Sequence, residues 1–223
     1  MSTVGVVFDF DGVLANTELL HLRAYQQVLQ RRGWWMDEAS YYERYLGYND
    51  EETIRQYVAD QRLPLDAGGI RALVREKTVA YQGVLDGASI FYPGAADCVR
   101  ALGREFPLAI ASGSLGDEIA RILRAEGLTD AFAAIVSADD VRRSKPAPDP
   151  YLAAAERMGV PAARCVAIED TNRGLASAQA AGMRTIAITT TMPVEVLASA
   201  DRIVARVSEV TVELVRALAA PGA

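Results

Sequence analysis

Two carboxylates one residue apart, Asp9 and Asp11, follow the apolar run Val4-Gly5-Val6-Val7-Phe8 and precede Gly12. The run is short and valine-rich, which suits a strand buried on both faces. Carboxylates this close repel each other unless a cation or a shared proton relieves them. Further chemistry-bearing residues stand in Ser112-Gly113-Ser114, Ser144-Lys145-Pro146 and Glu169-Asp170. Each has an ordinary reading when taken alone. Asp-x-Asp-Gly can be a polar turn, Lys145 a solvated loop lysine, Ser112 a turn residue, and Glu169-Asp170 the start of a helix cap. Taken together, several acids with one lysine and one hydroxyl suit phosphoryl transfer. Asp9 is the candidate to attack phosphorus and hold the group as an acyl phosphate. Asp11, two residues on and on the same side of extended backbone, is the candidate to protonate the leaving oxygen and then activate water. Contrasting environments can divide two carboxylates in this way. Lys145 and a divalent cation would keep Asp9 ionised and neutralise phosphoryl charge. Ser112, with the N–H groups of Gly113 and Ser114 ahead of a helix, makes an anion cradle. Glu169 and Asp170 would complete a metal site whose oxygen ligands suit Mg2+.

The elements that must position these residues follow from the pattern. Strands are predicted at 4–8, 108–111, 134–136, 165–168 and 185–188, with a short edge strand at 202–204. Helices are predicted between them at 95–105, 117–126, 150–158 and 172–181, with a closing helix at 207–218. Such alternation indicates βαβ units and a parallel sheet. A parallel sheet opens its ligand crevice at the carboxyl ends of its strands. Asp9, Ser112, Lys145 and Glu169 all follow strands, so one edge gathers them. Residues 16–90 interrupt this pattern with helical periodicity alone. The fold class is therefore α/β: a Rossmann-like parallel sheet core from residues 1–15 and 91–223, with an inserted all-helical domain at 16–90.

Composition removes other classes. The 223 residues are 51% hydrophobic, enough for one packed core with an insertion. No apolar run approaches the roughly 18 residues that span a bilayer, and no basic-then-apolar signal opens the chain. A cytoplasmic protein is the simplest expectation. A net charge of −6 with no basic run argues against nucleic acid, and no membrane partner is expected. The pattern leaves the oligomeric state open and is compatible with a monomer. The two cysteines, Cys98 and Cys165, make no disulfide framework. His21 is the only histidine, which excludes multi-histidine zinc sites and weakens Ser-His-Asp catalysis. No serine has glycine at both minus two and plus two, so the hydrolase nucleophile elbow is absent.

The motifs, in order, are Asp9-Phe10-Asp11-Gly12-Val13-Leu14, Ser112-Gly113-Ser114, Ser144-Lys145-Pro146-Ala147-Pro148 and Ile168-Glu169-Asp170-Thr171, with Gly174 and Ala181-Gly182 beyond. In these the chain resembles the haloacid dehalogenase superfamily, in the branch of β-phosphoglucomutase and phosphoglycolate-type phosphatases. The resemblance spans nearly the whole chain. It implies a mobile helical cap, Asp9 as nucleophile and Asp11 as general acid/base. It also implies Mg2+ held by the Asp9 carboxylate, the Asp11 backbone carbonyl and Asp170, with Glu169 assisting, and Ser112 and Lys145 on the phosphoryl group. Thr17 and His21 match positions near the hinge and site, though packing is an equal account of His21. The implied activity is an Mg2+-dependent phosphatase of a small phosphorylated metabolite, a sugar phosphate or similar phosphomonoester. The alternative is a sugar phosphomutase of the β-phosphoglucomutase kind.

The second aspartate argues against carbon–halogen cleavage. Lys77, the only lysine of the inserted region, has no feature that favours a Schiff-base role. Where mutases carry an arginine after the cap glycine, this chain reads Gly47-Tyr48-Asn49-Asp50-Glu51-Glu52. Such an acidic loop is expected to repel a second phosphate, with Arg55 one turn on as a compensator. Hydrolysis is therefore expected over mutation. Tyr48 is the aromatic expected to face substrate. Trp34, Trp35, Tyr41, Tyr42 and Tyr45 suit either a pocket or simple packing.

Overall fold

The computed structural model describes residues 3–45, 48, 50–85 and 90–220, leaving aside the Leu85 side chain. The chain divides into two compact units, Met1–Asn16 with Ser89–Ala223, and Thr17–Ala88.

The first unit is built on a six-stranded sheet in the order β3-β2-β1-β4-β5-β6, parallel throughout. The strands are β1 (Gly5–Phe8), β2 (Leu108–Ala111), β3 (Ala134–Val136), β4 (Cys165–Glu169), β5 (Arg184–Ile188) and β6 (Arg202–Val204). The four middle strands read Gly-Val-Val-Phe, Leu-Ala-Ile-Ala, Cys-Val-Ala-Ile-Glu and Arg-Thr-Ile-Ala-Ile, and are buried almost throughout. Apolar runs of this kind form strands only when both faces are covered. Sheet order reverses between β1 and β4, where a doubly wound sheet opens its ligand crevice. Phe8 lies level with Ile110 on β2 and Ile168 on β4, so the residues just beyond these strands emerge together.

The second unit, among its described residues, is helical. It holds α1 (Thr17–Gln30), α2 (Glu38–Ser40), a π-helical turn at Tyr41–Tyr45, α3 (Asp50–Asp60) and α4 (Ala67–Leu85). Gly33, at φ +73°, stands where α1 has run out. The chain leaves and re-enters the sheet unit side by side, with Asn16 N–H donating to the Ile90 carbonyl at 2.8 Å. The remaining helices belong to the sheet unit: α5 (Ala95–Gly103), α6 (Gly116–Ala125), α7 (Asp149–Met158), α8 (Asn172–Ala180) and α9 (Val212–Ala219). The closing segment differs from its expected single helix. Val207–Glu209 is a 3-10 turn, and α9 starts afresh behind Thr211, whose hydroxyl accepts from Leu214 N. Capping of this type satisfies an otherwise unpaired first-turn donor.

Candidate active site

Asp9 emerges directly after β1 and is 7% exposed. Its Oδ1 accepts from Phe10 N at 2.7 Å and from Lys145 Nζ at 2.8 Å. Glu169 closes β4 with no exposed surface, and Asp170 follows it, equally enclosed. Asp9, Glu169 and Asp170 each place a carboxylate oxygen within 4.8 Å of the others. Adjacent strands at the reversal point therefore deliver three buried acids to one spot. Lys145 reaches the same spot from the loop before α7, with Nζ 2.6 Å from Glu169 Oε1. The reach of that loop is set by its anchors. Asp140 accepts from Ser137 N and Oγ and from Arg157 on α7, and Arg143 pairs with Asp149.

Charge does not balance. One lysine against three carboxylates leaves two negative charges in a dry place, and the titration shifts follow. Burial first, then the Glu169 charge, raises Asp9 well above the usual carboxylate range. The same two causes push Asp170 up to about 8. Burial would also raise Glu169, but the Lys145 charge and hydrogen bond outweigh it and hold Glu169 low. Burial would lower Lys145, yet Asp9 and Glu169 together keep its ammonium above the ordinary lysine value. Asp170 Oδ1 is buried with no hydrogen-bond partner. An orphan acceptor is costly unless something positive meets it. A divalent cation would supply both the missing charge and the missing partner, so the residues fit one. Gly12 makes the close approach workable: its φ is +77°, and a Cβ there would stand 1.8 Å from Asp170 Oδ2.

Asp11 has a different setting. It turns to the loop after β2, where Ser112 Oγ donates to Asp11 Oδ2 at 3.0 Å and Ser114 Oγ at 2.7 Å. Ser112 Oγ also accepts from Ser114 N at 2.9 Å. Its side chain is not part of the acidic trio. Ser112, Gly113 and Lys145 line a cavity of about 380 Å³ together with Arg142, Ser144 and Pro150.

Thr17, His21 and Tyr48 belong to the helical unit. Thr17 is buried at the start of α1, and Tyr48 is 51% exposed. His21 Nδ1 lies 2.7 Å from Lys77 Nζ and its ring lies on Tyr81. Lys77 is only 1% exposed and donates to Asp50 Oδ1 at 2.6 Å, which also accepts from Tyr25 at 2.7 Å. Lys77 is thus engaged by Asp50 and His21 inside the helical unit, and nothing in this setting favours a Schiff-base role. Asp50 opens α3 instead of standing in an acidic loop; carboxylates are favoured in a first helical turn. Its charge is met by Lys77, so the like-charge argument against a second phosphate loses most of its force. Arg55 is tied to Glu51 and does not compensate Asp50. Gly47 and Asn49 lie outside the described residues. Tyr41 and Tyr45 are buried packing residues.

Two groups of site residues had no signal in the sequence. Tyr151 donates to Glu169 Oε1 at 2.8 Å. Thr190 donates to the Gly12 carbonyl at 2.5 Å, and Thr191 bonds the Asp170 carboxylate. All three lie far from the motifs they support or outside any motif spacing.

Comparison with known proteins agrees with this geometry. The family model for haloacid dehalogenase-like hydrolases matches residues 6–188. Fructose-1-phosphate phosphatase YqaB of Escherichia coli K12 is 35% identical over 181 residues, which cover 80% of this chain and 93% of that one. A CbbY variant from Rhodobacter sphaeroides, solved in complex with xylulose-(1,5)bisphosphate, matches with a TM-score of 0.76 at 31% identity, covering 93% and 96% of the two chains. A HAD family hydrolase from Deinococcus radiodurans R1, solved with bound phosphate and sodium, matches at 0.80 and 28% identity over 99% of each. A parallel sheet that reverses at β1 and β4, an acid trio at the reversal and these matches together place the chain among the haloacid dehalogenase-like hydrolases, in the branch of phosphatases and phosphoglucomutase-like proteins.

Proposed function

We propose that this phosphoric monoester hydrolase is Mg2+-dependent, cleaves a small sugar phosphate or similar phosphomonoester, and works through an aspartyl phosphate on Asp9. The observation that carries the reading is the uncompensated acid trio with the orphan Asp170 oxygen beside Asp9. Asp9 and Asp170 would hold the cation, which when bound neutralises phosphoryl charge. The Asp9 carboxylate attacks phosphorus, the P–O bond to the leaving group breaks, and Asp11 gives its proton to the leaving oxygen. Asp11 then takes a proton from water, whose oxygen attacks the acyl phosphate and releases inorganic phosphate and free Asp9. Ser112 and Ser114 orient Asp11 for both steps through their hydrogen bonds to Oδ2. Lys145 neutralises charge on the phosphoryl oxygens from beside Asp9. Sugar phosphates are favoured because two of the relatives named above are a fructose-1-phosphate phosphatase and a protein solved with xylulose-(1,5)bisphosphate.

Phosphate release across sugar phosphates, phosphoglycolate and nucleotides, with Mg2+ and with chelator, tests this. Release is expected with Mg2+ only, and Asp9→Asn is expected to lose it by about 10⁴-fold or more while staying folded, the scale of losing a nucleophile. Full activity in Asp9→Asn would refute the mechanism. Isomer formation from a hexose 1-phosphate and a bisphosphate primer, without phosphate release, would identify a mutase instead.

A further inference from the structure

The chemistry above leaves unused a buried hydroxyl that touches the acid trio, that of Tyr151. The side chain lies on α7, fully buried, six residues beyond Lys145. Its O–H donates to Glu169 Oε1 at 2.8 Å, the same oxygen that takes Lys145 Nζ at 2.6 Å. Its ring also lies beneath that ammonium, with Nζ 5.1 Å from the centroid. A cation over an aromatic face is attracted by the ring quadrupole, more strongly where water is excluded.

Glu169 is held on its other side as well. Oε2 accepts from Asp170 N at 3.0 Å, Thr171 N at 3.2 Å and Thr171 Oγ1 at 3.1 Å. A carboxylate offers about four lone-pair sites, and these five donors occupy them. Nor can the group swing away: a Cβ on Gly174 would stand 1.7 Å from Oε1, so the carboxylate is pressed against the start of α8. Asp170, one residue on, is the opposite case, with Oδ1 unpartnered. Two adjacent acids thus do different work. Asp170 has an oxygen to offer a cation, and Glu169 has both oxygens committed to the chain.

We propose that Tyr151 is a positioning residue: through Glu169 and through its own ring face it keeps the Lys145 ammonium beside Asp9. The proposal rests on the reading that Lys145 acts on the phosphoryl group. Lysine is a compact charge on a flexible stem, and here two anions claim it, Asp9 at 2.8 Å and Glu169 at 2.6 Å. The Tyr151 hydroxyl shares Oε1 and so tempers the hold of Glu169. Without that hydroxyl the carboxylate draws the ammonium away from Asp9. The ring limits how far it can drop.

The chain contains only two lysines, Lys77 and Lys145. Protein labelled with [15N]lysine therefore gives two side-chain Nζ signals, which Lys145→Met assigns. In Mg2+-loaded Tyr151→Phe, the Lys145 signal is expected to shift and exchange faster while that of Lys77 stays in place. Turnover is expected to fall about 10-fold with KM within about twofold, the scale of losing an outer partner of a metal site. Tyr151→Leu, which also removes the ring, is expected to fall further. Unchanged Lys145 signal and turnover in Tyr151→Phe would overturn the proposal. Failure of Tyr151→Phe to fold, or movement of both lysine signals with a lowered Tm, would overturn it in favour of a structural role. A shifted Lys145 signal with unchanged turnover upholds the positioning and instead refutes the role given to Lys145 under the proposed function.

Discussion

Asp170 and Asp11 show how far neighbours decide what a carboxylate can do. Asp11 accepts two serine hydroxyls from the loop after β2 and is not one of the clustered acids. Asp170 is enclosed, like-charged with Glu169 and unpartnered at Oδ1. A residue chosen for stability would not be an aspartate there. Asp170→Asn is therefore expected to melt higher than wild type when both are metal-free, by roughly 2–8 °C, the shift that about 1–2 kcal/mol gives in a chain this size. Added Mg2+ should then raise Tm in wild type but not in the variant. Differential scanning calorimetry with and without chelator reads both effects. A metal-free variant less stable than wild type would contradict the charge account.

At the scale of elements, two turns carry the site. The turn after β1 needs Gly12, both for its φ of +77° and for the space beside Asp170. Gly12→Ala is expected to cost about 1–3 kcal/mol for the backbone conformation alone. It should also lose Mg2+ binding, because the Cβ displaces the Asp170 carboxylate; titration calorimetry checks that. The turn after β3 is held by Asp140. Hydrogen bonds from Arg157 and Ser137 lower its carboxyl to about 2, against an ordinary 3.8. A carboxylate depressed on folding stabilises above its unfolded pKa, and that stability is lost as pH falls through the folded value. Between pH 4 and pH 2 wild type should thus lose stability more steeply than Asp140→Asn. Denaturant melts at a series of acid pH values measure the difference in slope. Equal slopes would mean the loop ahead of Lys145 is held by something else.

At the scale of the whole molecule, the helical unit is an insertion in the sequence of the sheet unit, whose flanking residues Asn16 and Ile90 are hydrogen-bonded to each other. The acid trio lies wholly within the sheet unit. The helical unit has its own buried charge, Lys77 paired with Asp50 between α4 and α3. Burial would raise Asp50, but the ammonium beside it outweighs that and holds its carboxyl low. Lys77→Met breaks this pair and leaves Asp50 without its cation. The expected cost is about 3 kcal/mol, the low end for a broken buried pair because Asp50 is partly exposed. Hydrogen exchange should show α1 and α4 losing protection while Mg2+ affinity stays at the wild-type value. A matching loss of Mg2+ affinity would mean the two units are energetically coupled.

The order of strands and helices, and the gathering of Asp9, Ser112, Lys145 and Glu169 at strand ends, were legible in the chain because burial on both faces of a parallel sheet demands short apolar runs, and such runs are local. Glycine at a forced positive φ and threonine at a helix start are local signals of the same kind. What lay beyond the sequence was who fills each oxygen. Tyr151 comes to Glu169 only because α7 packs under β1 to β3, and Thr190 comes to Gly12 across most of the chain. Asp50 looked like a repulsive acid until α4 brought Lys77 to it. Lys77 and Lys145 are the same residue type. One is spent on a structural pair and the other stands beside Asp9, and that division is made by non-local packing, since a charge in a low-dielectric interior takes its meaning from whatever anion the fold places within about 3 Å.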